Sequence, residues 1–399
     1  MAFENRVLLW MCVLVAINQL GFGGMVPSLP LYAQSFGVPT SAVGMAVAIY
    51  GLARFFTAVP SGRLSDWVGR RPTLAIGGLI SSAGNLWCAV ASSYPEFIIA
   101  RFVAGAGAGL IVTTGQIVLA DITTPAKRGR MLALYQGTFI FAVGIGPFPG
   151  GLLAEHYGLS APFWAYGFAA LLVTGVAWFA VGETKDIGKA ATPHLAASQS
   201  FITQFRMLTA KIGFALISVI VLMGAIVRTG GLFTVIPILA DEQLHISVSA
   251  IGFALMLGSI AGLVTAYPLG WITDRFGRKA VIVPATLVSG SSMMLFCVAP
   301  DYTWFMIASI VWGVAISALG TAPAAYAADS APPGMNAAAM STFRLIADAG
   351  YVAGPLLLGF IVDLLGATTA LVTAALLIIA SGIAFAAFAP ETYRGKPPA

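Results

Sequence analysis

Charge is what this chain has least of. Only 9% of its 399 residues are Asp, Glu, Lys or Arg, against 59% hydrophobic residues and a mean hydropathy of +0.92. A water-soluble chain of this length has too little polar surface to cover so much apolar side chain. Most of it must face lipid or other lipid-embedded helices. Cysteine is equally scarce. Cys12, Cys88 and Cys297 all fall inside apolar runs, with no CxxC spacing and no neighbouring histidine, so they read as small packing residues rather than disulfides or metal ligands. The three histidines, His156, His194 and His245, join no nucleophile–base–acid set and no metal-ligand cluster, which argues against an enzyme and implies no cofactor and no metal. No GxxxxGK[ST] occurs, since Gly182 to Lys189 has the wrong spacing, and this argues against ATP-driven work by this chain.

What is present is a succession of long apolar runs. A window of roughly 20 residues finds them near 7–33, 42–63, 73–92, 96–121, 130–154 and 161–182, then near 212–240, 250–272, 279–299, 302–328, 337–364 and 367–389. These twelve spans are too long and too uniformly apolar for barrel strands, so helices are expected. The first lacks a small-residue cleavage pattern and reads as a retained span rather than a signal peptide.

Basic residues punctuate the spans on one side only. Arg6, Arg63, Arg70, Arg71, Lys127, Arg128, Arg130, Lys185, Lys189, Arg206, Lys211, Arg275, Arg278, Lys279, Arg394 and Lys396 fall at alternate connections. The others, near 34–41, 93–96, 155–160, 241–249, 300–302 and 365–368, hold no Lys or Arg and offer Glu96, Glu155, Asp241, Glu242 and Asp301. The positive-inside bias predicts both termini in the cytoplasm. It also accounts for the net charge of +5 without a nucleic-acid partner.

The two most charged loops, "GRLSDWVGRRP" at Gly62–Pro72 and "GWITDRFGRKA" at Gly270–Ala280, are 208 residues apart, and the offset runs far beyond them. Ser41-Ala42-x-Gly44 returns as Ser249-Ala250-x-Gly252, Pro60 as Pro268, Asp66 as Asp274, Gly105 as Gly313 and Ala120-Asp121 as Ala328-Asp329. Pro125 returns as Pro333, Gly146-Pro147 as Gly354-Pro355, Gly151 as Gly359, Gly158 as Gly366 and Glu183-Thr184 as Glu391-Thr392. Before residue 41 the register slips by one, so that Pro30 matches Pro237. Two homologous six-helix halves in parallel orientation are therefore predicted: 1–182 and 212–390, joined by a polar cytoplasmic linker at 183–211 and followed by a tail at 391–399. Within the linker, "FITQFRMLTAKIG" reads either as an amphipathic helix at the membrane surface or as a plain connector.

These motifs resemble the major facilitator superfamily, and within it the twelve-helix drug:proton antiporters, over nearly the whole chain. GRLSDWVGRR resembles the superfamily's loop between helices 2 and 3, RFVAGAGAG (Arg101–Gly109) its helix-4 motif, GPFPGG (Gly146–Gly151) the helix-5 motif of antiporters, and VPSLPLYA (Val26–Ala33) the end of helix 1. The resemblance implies an all-α integral membrane protein of twelve transmembrane helices in two pseudo-symmetric bundles. It implies a conformational latch at Gly62, Asp66, Gly69, Arg70, Arg71, Asp274 and Arg278, and a helix-5 motif at Gly146, Pro147, Gly150 and Gly151. Trp67 stands where the family has a basic residue, whereas Arg275 keeps it.

Physically, Asp66 at the end of a span is placed to accept hydrogen bonds from a helix N-terminus or from guanidinium groups. Arg70 and Arg71 are expected in cytoplasmic water. Basic loops that only fix orientation are the plainer reading. Gly146-Pro147 and Gly150-Gly151 predict a kinked, closely packed helix. Gly105, Gly107 and Gly109 lie inside a span, follow no strand and serve packing rather than a dinucleotide.

Charge inside a span costs a few kcal/mol and marks function. Asp348 is the acid placed clearly within one. Arg344, four residues before it, and Arg54, which family architecture sets on a helix beside it, are its candidate partners. A permanent Arg344–Asp348 pair that only secures the helix is the inert alternative. The drug antiporters often carry an acid in helix 1, where this chain has Asn18 and Gln19, so proton coupling is assigned to Asp348, Arg344 and Arg54 on the premise that the carboxyl is buried. The resemblance places the substrate cavity at Asn18, Gln19, Arg101, Gln116, Tyr135, Gln136, Arg228, Trp312 and Tyr351.

The function expected is proton-coupled efflux of small lipophilic or weakly polar compounds by alternating access. The alternatives are export of a metabolite such as an amino acid or sugar, and a non-transporting solute sensor. The expected partners are a small-molecule substrate, protons and the lipid bilayer. The expected setting is the cell inner membrane, with the monomer as the working unit.

Overall fold

The computed structural model describes residues 3–123, 128–185, 187, 201–332 and 335–392. The expected Pro125–Pro333 match, most of the linker and most of the tail lie outside these. Among the described residues there are helices and no strands. They are α1 (Phe3–Met25), α2 (Leu29–Gln34), α3 (Thr40–Val68), α4 (Arg70–Val90), α5 (Tyr94–Ile122), α6 (Arg128–Ile145), α7 (Pro147–Tyr157) and α8 (Ala161–Phe179). Then come α9 (Phe201–Thr209), α10 (Ile212–Ile226), a π-helical stretch (Val227–Val235), α11 (Ile236–Leu244), α12 (Val248–Phe276), α13 (Lys279–Val298), α14 (Tyr302–Asp329), α15 (Asn336–Leu365) and α16 (Ala367–Phe388). Twelve of these helices or joined helices are long and apolar enough to cross a membrane.

Three spans are not single α-helices. The first breaks between α1 and α2, where Pro27 and Pro30 remove two N–H donors. The fifth breaks at Gly146, just before Pro147 and Pro149 do the same. The seventh widens into the π-helical stretch, in which the Thr234 hydroxyl donates to the Thr229 carbonyl five residues back at 2.9 Å.

The chain divides into two compact units, residues 1–38, 45–195 and 247–256 in the first, and 39–44, 196–246 and 257–399 in the second. In the first, Met11 and Leu14 of α1 meet Leu74 of α4, Val118 of α5, Tyr135 of α6 and Val173 of α8 in one apolar core. At its other end Tyr32, Phe36, Phe97 and Phe163 form a ring cluster with centroids 5.1–5.6 Å apart. In the second, Phe214 and Ile217 of α10 pack with Ile282 of α13, Tyr326 of α14 and Phe385 of α16. Leu208 of α9 is buried in that core while Ile202 and Met207 are exposed, so the linker's end is a two-faced helix.

Without a hydrophobic drive between helices in lipid, close packing depends on small residues. In the first unit, α1 lies so near α6 and α7 that a Cβ on Gly150 would sit 1.9 Å from the Gly24 carbonyl oxygen, and one on Gly146 2.6 Å from that of Leu20. The second unit repeats the arrangement: a Cβ on Gly230 would lie 2.4 Å from the Gly354 carbonyl oxygen. Gly175 of α8 has open space instead. Gly150→Ala should therefore lower the melting temperature of the purified protein in detergent, at a cost of about 1–3 kcal/mol. Gly175→Ala should leave it unchanged or raise it slightly, and equal melting of the two variants would contradict this packing.

Candidate functional site

At the charged end of the first unit the chain turns through Gly69, whose φ of +107° lies in a region that side chains avoid, and α4 starts immediately after. The Glu183 carboxylate accepts the first two amides of that helix, Arg70 N–H at 2.9 Å and Arg71 N–H at 3.1 Å. The Arg70 guanidinium is buried rather than in water. Its Nε donates to Asp121 Oδ2 at 3.0 Å, and its Nη1 pairs with Asp66. Thr184 donates its hydroxyl to the same Asp121 oxygen at 3.0 Å. Lys185 Nζ donates to the Trp67 carbonyl at 2.8 Å, and Arg71 lies over the Trp178 ring at 5.0 Å.

The second unit repeats this assembly. Gly277 has φ +101°, Glu391 accepts Arg278 N–H at 3.2 Å and Lys279 N–H at 3.0 Å, and Arg278 Nε reaches Asp329 Oδ2 at 3.2 Å. The Asp274 side chain is outside the described ones. Of the two partners open to Asp66, the structure gives the guanidinium: its carboxylate is 70% exposed and pairs with Arg70, while Glu183 holds the helix N-terminus. Gly62 has open space around it. The four acids at the centre of these assemblies, Asp121, Glu183, Asp329 and Glu391, are absent from the expected latch although the repeat had paired them.

Deeper in the first unit lies a chain of buried polar side chains. The Arg101 guanidinium sits 4.4 Å from the centroid of the Tyr50 ring, and its Nε donates to the Ala46 carbonyl at 3.1 Å. The Tyr50 and Tyr166 hydroxyls are 3.3 Å apart. Tyr166 donates to Asn18 Oδ1 at 3.2 Å, and Asn18 Nδ2 donates to Gln19 Oε1 at 2.8 Å. All five side chains are buried, and no carboxylate among the described residues pairs with Arg101. Burying one ion costs several kcal/mol. A desolvated cation–π contact returns about 2 and a hydrogen bond from a charged group about 1.5–3.

The internal repeat tests whether the fold needs these groups. At the matching positions of the second unit stand Ala225, Ile226, Gly258, Ser309 and Ala374 in place of Asn18, Gln19, Tyr50, Arg101 and Tyr166. The second unit is built without them, so the fold does not require the polar groups of this chain, although the Tyr50 ring also stacks on Phe22. Tyr50 and Tyr166 are missing from the expected cavity, and comparing the two halves position by position is the signal that finds them.

The remaining candidates are dispersed. Tyr135 belongs to the apolar core, with its hydroxyl over Gly115, which corrects its placement in a cavity. Gln116 and Tyr351 are half-buried and Gln136 is exposed. Arg228 is exposed on the π-helical stretch, over the Phe233 ring at 5.6 Å. Trp312 is buried with no hydrogen-bond partner for its indole N–H among the described residues. Arg54 is half-buried, and its charge acts on Tyr50 and Tyr166.

Asp348 corrects the premise of a buried acid. Its carboxylate is 51% exposed and meets Arg344 Nε at 3.9 Å. The reason is helical phase: Gly350 and Gly354 turn another side of α15 onto the α10 backbone, which leaves the face of residues 344 and 348 uncovered.

Comparison with known proteins agrees with this architecture. The model of the Major Facilitator Superfamily matches residues 11–241 and again 217–399. An uncharacterized MFS-type transporter of Methanocaldococcus jannaschii is 23% identical over 95% of this chain and 97% of its own. Multidrug resistance protein MdtL of Klebsiella pneumoniae is 23% identical over 79% of this chain and 81% of its own. The crystal structure of the nucleoside transporter NupG superposes with a TM-score of 0.78 at 13% identity, covering 97% of this chain and 99% of that one. Twelve apolar helices, a duplicated six-helix pattern and these matches lead to one conclusion: the chain belongs to the Major Facilitator Superfamily, a family of multi-pass membrane transporters that are not enzymes.

Proposed function

We propose that the chain is a secondary active carrier that exports small lipophilic or weakly polar compounds in exchange for protons, by alternating access between two six-helix halves, 1–182 and 212–390. The observation that carries this reading is the Arg101–Tyr50–Tyr166–Asn18–Gln19 chain, which occurs in one half and has no counterpart in the other. A buried guanidinium with no carboxylate partner among the described residues, joined by the charge of the half-buried Arg54 on the same two phenols, suits a compound with an apolar body and a polar or anionic group. It does not offer the several cations that a polyanion requires. Export is supported by the likeness to MdtL, a multidrug resistance protein. Both termini and the linker 183–211 face the cytoplasm in this reading, as the one-sided distribution of Lys and Arg supports. The membrane is the inner membrane of the cell.

Proton coupling belongs to Asp348 with Arg344, and Arg54 is the further cation of the set. What supports this assignment is the exposed, loosely held pair that the Asp348 carboxylate makes with Arg344 at 3.9 Å.

Two variants test the proposal in everted membrane vesicles loaded with a fluorescent lipophilic dye. Tyr166→Phe removes the hydroxyl that joins Tyr50 to Asn18 and should raise the dye concentration for half-maximal transport about tenfold. Tyr326→Phe in the other half, whose hydroxyl donates to the Pro390 carbonyl at 2.6 Å, should not change it. Asp348→Asn should abolish accumulation driven by a pH gradient while dye exchange at equal concentrations continues. Wild-type behaviour of Tyr166→Phe would sink the binding assignment, and gradient-driven accumulation in Asp348→Asn would sink the coupling assignment.

A further inference from the structure

Two acids, one in each compact unit, hold helix starts that their sequence gave no reason to connect with them. Asp363, near the end of α15, accepts Thr40 N–H at 2.7 Å and Ser41 N–H at 2.8 Å, one on each carboxylate oxygen. It thereby caps the first turn of α3. Glu155, near the end of α7, is within hydrogen-bonding reach of the amide and hydroxyl of Ser249 and of the hydroxyl of Ser247, at the start of α12. The two acids are themselves 208 residues apart, as are Ser41 and Ser249.

Backbone contacts flank each cap. A Cβ on Gly359 would lie 2.7 Å from the Thr40 carbonyl oxygen, and one on Gly44 2.0 Å from that of Pro355. At the repeat-related place, a Cβ on Gly151 would lie 2.5 Å from the Val248 carbonyl oxygen, and one on Gly252 2.1 Å from that of Pro147. The repeat residues that match best in the sequence are thus the ones that touch here.

Each capped helix also passes from one compact unit into the other. Residues 40–44 of α3 belong to the second unit and its remainder to the first, while residues 248–256 of α12 belong to the first and its remainder to the second. Holding such a start are a carboxylate, a glycine contact and one fully buried apolar side chain just inside, Val43 in α3 and Ile251 in α12. Both acids are exposed, so water can take over their hydrogen bonds when the helix start leaves. The caps on α4 and α13, Glu183 and Glu391, are exposed as well, but each holds a helix that lies within one compact unit.

We propose that Asp363 and Glu155 are paired clasps that hold the starts of α3 and α12 as seen in this structure and release them in each transport cycle. The inference rests on the carrier reading above and adds the residues that govern one of its two gates. Both acids act as positioning residues, with no contact to substrate required.

Val43 and Ile251, repeat partners just inside the clasps, are fully buried and serve as reporters. In a background with Cys12, Cys88 and Cys297 replaced by serine, Val43→Cys should react slowly with a membrane-impermeant maleimide in intact cells. Adding Asp363→Asn should speed that labelling roughly tenfold, the scale of one lost hydrogen bond to a charged acceptor. Glu155→Gln should do the same for Ile251→Cys. Unchanged rates at both reporters overturn the clasp. Each site makes the same prediction independently, so a variant that fails to reach the membrane leaves its repeat partner to decide. Acceleration seen only in inside-out vesicles would instead overturn the orientation and leave the clasp standing.

Discussion

A helix start leaves its first N–H groups without partners inside the helix, and another group must accept them. This constraint organises much of the structure. Four helices meet it with a carboxylate from a distant part of the chain: Glu183 on α4, Glu391 on α13, Asp363 on α3 and Glu155 on α12. Others meet it with proline, which has no N–H to satisfy, at Pro95, Pro147, Pro162 and Pro237 in the first turns of α5, α7, α8 and α11. Because a carboxylate cap is charged, it also interacts favourably with the positive end of the helix dipole. Arg70 and Arg278 are the centres of matching assemblies.

Duplication lets the sequence serve as its own control. Where the two halves agree, as in the capping acids, the positive-φ glycines 69 and 277 and the glycine contacts of α1 and α10 with their neighbours, the residues meet demands of the fold. Where they disagree, the fold makes no demand. The polar chain through Arg101, Tyr50, Tyr166, Asn18 and Gln19 is the largest such disagreement inside the helices, and it costs stability that the second half does not give up. That is the physical ground for placing substrate recognition in the first half.

Much of the architecture was legible in the residues alone. The apolar runs led to the twelve helices, and the offset of 208 residues to the matching assemblies after Gly69 and Gly277, since hydropathy and repeat spacing are local or linear properties. Partnerships were harder. Nothing near Arg70 in the chain announces that its buried partner lies 51 residues away or that its amide meets Glu183 113 residues away. Asp66, four residues off, was visible and proved to be the exposed partner. Helical phase was the other gap. Asp348 sits well inside a span, yet its face of α15 is uncovered, and Tyr135 lies on the core face of α6 rather than in a cavity. Lipid, protein and water are equally compatible with an apolar run, so depth along the sequence does not reveal burial.

The four capping acids are all exposed, and they divide by the helix they hold: α3 and α12 pass from one compact unit into the other, whereas α4 and α13 each lie within one. Hydrogen–deuterium exchange of the first-turn amides of these helices, in lipid nanodiscs with and without a saturating transported dye, tests that division directly. The amides of Arg70, Arg71, Arg278 and Lys279 should remain protected in both conditions, while those of Thr40, Ser41 and Ser249 should exchange faster when the dye is cycling the protein between states. Identical dye responses at all four helix starts would contradict the account.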